Sequence, residues 1–404
     1  MKRGMSKYGV RMILKYDVVF LVEHKDRELE SVEAIASELK KRGVSSIVVS
    51  IHFHMHYLLF CRPKAVVFPY LLRRDDWPTV LAYQLYGDRA GYVNMNWEQL
   101  ISKLNEAYKS PRDNFVKRKV KHLAWSEHFK SYLVSYGVKE ENVCITGNPA
   151  TTILRRLLPS QEKWRRTLAE MFSLDMRKPW FFFPMNYGWA FLSDAQIKAK
   201  IANGYPSDLA WEHRAYAQRS LQAFIPFVKE IYAKGEYEVI VRPHPSIPES
   251  AYRELLKGDG DGIVVSKAFS IREWIVASDM VGSSWSTAVW DAYQAGKRVF
   301  LFTPYERPEW LNVWWNDLVP NIRKTDEISN LTRAEACLPA YDAVGAAGEC
   351  IADVANAHTR VSPPKIGGLK ASHWMKIVRS LLRQWRVIGS GALIYDRFEV
   401  KRYG

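Results

Sequence analysis

The chain has 404 residues, 48% hydrophobic and 25% charged. That balance excludes a disordered or fibrous protein, and the length suits two buried cores better than one. Lysine and arginine number 58 against 43 acids, a net charge of +15, so an anionic partner is expected: nucleic acid, a phospholipid surface or a phosphorylated substrate.

No zinc-finger spacing and no RNP-like aromatic motif occurs, so nucleic acid is not the expected partner. Cys61, Cys144, Cys337 and Cys350 form no CxxC pair, which implies neither a zinc site nor a disulfide scaffold and fits a reducing cytoplasm. The basic start, MKRGMSKYGVRMILKYD, leads into no apolar run of signal-peptide length, and no stretch is long enough to span a bilayer. A soluble or peripheral protein is expected.

In chain order, residues 16–22 (YDVVFLV) read as a buried strand, and 31–42 as a helix stopped by Gly43. Ser45–Ile51 and Ala65–Pro69 are further strands, and this strand–helix–strand spacing is that of a parallel sheet. His122–Ser126 and Val143–Thr146 extend the same half, which Gly147-Asn148-Pro149 closes. A charged helical stretch then leads to a second series: Trp180–Pro184, Glu238–Arg242, Gly262–Val265, Met280–Gly282 and Val299–Phe302. The expectation is an α/β protein with an N-terminal domain at 1–165, a C-terminal domain at 166–364 and a basic helical tail at 365–404. The tail holds nine Lys and Arg against two acids, a net charge of +7. In it Trp374, Val378, Leu381, Trp385 and Ile388 share one helical face, a pattern suited to an anionic membrane surface or to a helix packed on the protein.

Four segments carry candidate chemistry. Arg242-Pro243-His244-Pro245 follows a strand directly, and ligands of open α/β sheets bind beyond the carboxyl ends of strands. Two prolines stiffen that turn, and a cationic rim there suits phosphate or a departing nucleotide. Ser283, Ser284, Ser286 and Thr287 put four hydroxyls into five positions before a helix, where free backbone N–H groups attract anions. Helix capping needs only one of them. Glu23-His24-Lys25-Asp26-Arg27-Glu28-Leu29 joins the first strand to the first helix; Glu23 and Glu28 are candidate proton acceptors, and Arg27 can hold an anionic sugar. Asn186 and Gly188, after the strand at 180–184, allow close backbone approach to a ligand. His52, His54 and His56 alternate as they would on one strand face, but no carboxylates complete a site, so no metal is expected.

Arg-Pro-His-Pro at 242–245, followed some forty residues later by Asp279 and the Ser283–Thr287 run, resembles the GT-B glycosyltransferases of surface polysaccharide synthesis. Capsule Kdo transferases and bacterial polysialyltransferases carry such His-Pro and serine elements, and CDP-glycerol glycerophosphotransferases carry similar ones. Glu23, Lys25, Arg27, Glu28 and Leu29 match the E-x-K-x-R-E-L signature of surface carbohydrate biosynthesis proteins, and the turn at Asn186, Gly188, Trp189 and Ala190 extends the likeness. It covers roughly residues 16–310 and departs at Tyr92–Glu98, where relatives carry an acidic run and only Glu98 is acidic here.

The resemblance implies two Rossmann-like domains facing a central cleft, followed by a C-terminal helix. It implies a metal-independent glycosyltransferase that moves Kdo or another acidic sugar from a cytidine-activated donor to a surface polysaccharide or lipopolysaccharide acceptor. His244 would be catalytic together with Glu23 or Glu28. Asn186, Arg242, His244, Ser283, Ser284, Ser286 and Thr287 would bind the donor; Lys25, Arg27 and Glu98 would bind a glycan or lipid-linked acceptor. No cofactor is expected beyond the nucleotide-sugar substrate. The expected location is cytoplasmic, at the inner face of the membrane, with the basic tail as a peripheral contact. The competing expectations are a CDP-glycerol glycerophosphotransferase, a sugar-nucleotide epimerase and a non-catalytic polysaccharide assembly protein.

Overall fold

The computed structural model describes residues 13–102, 105–202 and 204–404; the basic start at 1–12 lies outside them. By internal contacts the chain forms two compact units. One comprises the residues up to Trp97, Pro111–Gly147 and Val344–Gly404, and the other Glu98–Ser110 with Asn148–Ala343.

The first unit is built on seven strands: β1 (Val18–Val22), β2 (Ser46–Ser50), β3 (Ala65–Phe68), β4 (Gly91–Asn94), β5 (Val120–Ala124), β6 (Val143–Ile145) and, from the end of the chain, a strand at Lys401–Tyr403. Their spatial order is 401–403, β2, β1, β3, β4, β5, β6. All neighbours are parallel except the last strand, which runs antiparallel to β2. β1, β2 and β3 are buried throughout, as expected of parallel strands covered on both faces. The chain order reverses between β1 and β3, so the segment leaving β1, which begins with Glu23, sits at a topological switch point.

The second unit has six strands: β7 (Trp180–Pro184), β8 (Glu238–Arg242), β9 (Val264–Val265), β10 (Met280–Ser283), β11 (Arg298–Phe302) and β12 (Asn321–Ile322). The order is β12, β11, β10, β7, β8, β9, all parallel. This is the doubly wound Rossmann arrangement, with its switch point between β7 and β10. Side chains of β7 alternate between two cores: Phe181 and Phe183 pack on one face of the sheet, Trp180 and Phe182 on the other.

The bounds of the units differ from the expected 1–165, 166–364 and 365–404, and packing gives the reason. Leu154 and Leu168, from helices Pro149–Leu157 and Gln161–Phe172, bury into the core of the second sheet with Trp180 and Trp274. Helix Ala343–Asn356 returns to the first unit, where Gly91 gives it room: a Cβ there would come within 2.4 Å of Val354 Cγ1. The tail follows it and ends as the strand on β2. The histidine series also departs from the strand reading. β2 stops at Ser50, and His52, His54 and His56 fall in a turn and a 3-10 helix at Met55–Leu59. Among the described residues no cluster of His, Cys, Asp and Glu could hold a metal ion, and no helix is long and apolar enough to cross a membrane.

Candidate functional site

In the second unit the switch point gathers the turns leaving β7, β8 and β10. Ser283 Oγ donates to Pro184 O at 2.6 Å, stitching the end of β10 to the end of β7. Ser284 Oγ bonds the hydroxyl of Tyr187, which is fully buried. These two serines hold the floor of the site together. Ser286 caps helix Thr287–Gln294 by accepting from Ala288 N–H at 3.3 Å, and Thr287 is exposed on its first turn. The helix therefore presents its orphan N–H groups at the switch point, where an anion is favoured. Asp279, ahead of the run, ties Arg165 and the N–H of Trp180, each at 2.8 Å, and so anchors the start of β7.

His244 stands just beyond β8. Its Nδ1 accepts from Ser246 N–H at 3.2 Å and lies 2.7 Å from Ser246 Oγ. A backbone N–H can only donate, so Nδ1 is an acceptor and the proton of the neutral ring sits on Nε2. The turn at Tyr187–Phe191 lies directly on this histidine: a Cβ on Gly188 would stand 3.3 Å from His244 Nδ1 and 3.4 Å from Ser246 Oγ. Asn186, at the head of that turn, has both Oδ1 and Nδ2 buried with no hydrogen-bond partner. Buried amides are rarely left so, and the pair is suited to a polar ligand.

Arg242 turns inward. It is buried, and its NH1 donates to Ala268 O at 2.9 Å, which fixes the loop after β9. From that loop Lys267 reaches back, its Nζ donating to Pro245 O at 2.6 Å. Lys267 is a cation of the rim that the sequence reading missed; nothing but its place after a short apolar strand could have marked it. Tyr187, Ser246 and Trp285 were missed too, and Trp285 packs edge-on to Tyr187 at 5.3 Å.

In the first unit Glu28 is fully buried. It pairs with Arg27 at 2.9 Å, and its Oε2 accepts from Glu23 N–H at 2.8 Å. Burial pushes its carboxyl above the usual range, opposed by the Arg27 guanidinium. Arg27 also lies over the Tyr70 ring at 5.5 Å. Glu23 is half-buried and Lys25 exposed. Asp396 binds this segment, accepting from Lys25 N–H at 3.0 Å and meeting His24 Nδ1 at 3.4 Å. Glu98 belongs to the second unit, where it pairs with Lys109 at 2.8 Å.

Two α/β sheets, parallel but for the strand at 401–403 and each with a switch point bearing polar loops, define a GT-B-type fold. No protein-family model and no curated protein sequence matches the chain. Among solved structures it is similar to the wall teichoic acid polymerase TagF, at 14% identity over 92% of this chain and 90% of that one, with a TM-score of 0.51. A variant of TagF gives 13% identity, 92% and 90% coverage and a TM-score of 0.50. UDP-N-acetylglucosamine 2-epimerase from Rickettsia bellii gives 15% identity, 85% and 96% coverage and a TM-score of 0.50. At these identities the likeness shows the fold.

Proposed function

We propose that the chain is a nucleotide-dependent glycosyltransferase of surface polysaccharide synthesis. The observation that carries the reading is His244, oriented by Ser246 and set against the Asn186–Gly188 turn beside the start of helix Thr287–Gln294. Nε2–H of His244 would donate to a leaving phosphate, and the N–H groups of the helix with Ser286 and Thr287 would hold its charge. Asn186 would bind the donor through its amide. Arg242, Ser283 and Ser284 would act by positioning these groups.

On the acceptor side, Glu23 is the carboxylate suited to take a hydroxyl proton, because both oxygens of Glu28 are engaged within its own loop. Lys25 and Arg27 would bind an anionic, lipid-linked glycan. A cytidine-activated donor, with Kdo or another acidic sugar, follows from the resemblance of residues 242–245 and 283–287. In this reading the enzyme works at the inner face of the cytoplasmic membrane. A second reading, a transferase that breaks the donor's diphosphate, rests on the resemblance of the same residues to CDP-glycerol glycerophosphotransferases; the same anion-holding groups would serve it.

The test is thermal stabilisation by CMP, CDP, CTP, UDP, GDP and ADP, with His244→Ala alongside. A ligand that binds only the folded state raises the melting temperature. A shift with CMP or CDP that His244→Ala abolishes is expected. A shift with UDP or GDP alone would refute the cytidine assignment, and no shift with any nucleotide would refute the transferase reading. Release of CMP from CDP-glycerol with transfer of glycerol phosphate to an acceptor hydroxyl would establish the second reading.

A further inference from the structure

The carboxyl-terminal segment carries a surface that the transfer reading does not use. Helix Ala371–Gln384 packs on the first unit by a narrow strip, in which His373, Ile377 and Ser380 are buried and Ser380 Oγ accepts from Met55 N–H at 3.1 Å. Its outward side carries an apolar strip flanked by the exposed cations Lys376 and Arg379. Trp374, Met375 and Val378 are exposed, and the strip continues past the helix end through Trp385 and Val387. Met375 and Trp385 are each 66% exposed and Val387 65%. A surface helix normally turns charge outward, so a contiguous outward apolar strip marks an interaction site.

Trp374, Met375, Val378, Leu382 and Ile388, with Arg379 at the edge, line a shallow groove of about 520 Å³. Two residues before Ile388, Arg386 lines a second hollow of about 550 Å³ with Arg397 and Arg402, against one acid, Glu399. The Nε atoms of Arg383 and Arg397 are buried without an acceptor. Burial and the neighbouring charge of Arg379 hold the Arg383 guanidinium below its ordinary range. Arg386 turns the chain with φ at 61°, a left-handed conformation that a long side chain adopts at a cost.

We propose that this face docks on a bilayer rich in anionic phospholipid. The Trp374–Val387 strip enters the boundary between headgroups and acyl chains, and the exposed Arg386 and Arg402 meet the lipid phosphates. The chemistry of the patch selects this occupant. Tryptophans at both ends of an apolar strip, rimmed by cations, match the interfacial layer of a membrane. A second copy of the chain would bring two segments of +7 together, which repulsion opposes. The inference rests on the tail alone and is independent of the reaction assigned to the switch-point residues.

The test is co-sedimentation of the full chain with vesicles of phosphatidylcholine alone and of phosphatidylcholine with phosphatidylglycerol in equal parts. Binding to the mixed vesicles, reduced by salt, is expected. The double variant Trp385→Ser/Val387→Ser changes only exposed side chains, so it should melt as the parent does and partition at least about tenfold more weakly. Arg386→Glu should remove the preference for the anionic vesicles. No binding to the mixed vesicles, equal binding to both, or undiminished binding by the double variant would overturn the proposal. So would a dimer in solution that the double variant dissolves, since that would assign the patch to a second copy.

Discussion

Three histidines are held neutral inside this fold, and an acid titration should expose them. His54 is buried, its Nδ1 accepting from Ser50 N–H at 3.1 Å; burial, with His56 and Arg397 adding to it, pushes it down to about 4. His122 donates from Nε2 to Val116 O at 3.0 Å and is likewise pushed to about 4 by burial. His213 stacks on Trp189 at 4.3 Å, and burial, then Lys200, pushes it to about 3. In the unfolded chain each would take up a proton near the ordinary value, so between the two values the unfolded state binds more protons and stability falls with pH. From about pH 7 to about pH 5 each contributes a loss of about 2 kcal/mol, or 5 to 6 together. Asp291 works the other way. Burial, opposed by Arg272, pushes its carboxyl up to about 6, so acidification over the same range restores about 1 kcal/mol. These four groups together lose about 4 kcal/mol, a large share of an ordinary folding stability; His52 and His56, lowered by burial, add to the loss, and Glu28, raised by burial, opposes it. Urea unfolding followed by intrinsic fluorescence at the two pH values measures it, with His213→Phe expected to reduce the loss by about a third. A stability that is flat or rises on acidification would refute the assignment of these rings as neutral.

Gly188→Ala sets a methyl group against His244 and Ser246, so it should weaken the nucleotide-induced thermal shift while leaving the ligand-free melting temperature within a few degrees. The two glutamates after β1 should separate in assays of transfer and of stability. Glu28→Leu removes the ion pair with Arg27 and leaves the Glu23 N–H without its carboxylate acceptor, and should cost about 3 kcal/mol in urea unfolding. Glu23→Gln should keep the stability and lower the turnover of whichever donor the panel identifies by about a hundredfold or more. Turnover unchanged in Glu23→Gln would remove it as the base.

Most of both sheets was legible because parallel strands buried on both faces are continuous apolar runs. VVFLV, WFFFP and EVIVR stand out on that ground alone. β4 escaped because GYVN is short and ends in Asn94, whose polar side chain is buried because it finds partners there, donating to Leu71 O at 3.0 Å and accepting from Asn96 N–H at 3.3 Å. The final strand escaped because KRY is a charged edge whose partner, β2, lies some 350 residues earlier. At the candidate site the order of the motifs was legible and the direction of each side chain was not. Four hydroxyls in five positions looked alike, yet Ser283 and Ser284 tie the site to Pro184 and Tyr187, while Ser286 and Thr287 stand at the helix start.

The sequence by itself determined that the chain alternates strands and helices in two series and puts polar turns after particular strands, since local periodicity and turn chemistry are properties of neighbours along the chain. Only the tertiary structure decided that β10 lies beside β7, that Ser246 orients His244 against Gly188, that Arg242 faces inward, and that the tail returns to β2 with its tryptophans outward. Those facts depend on which distant residues share a core, and that is settled by packing.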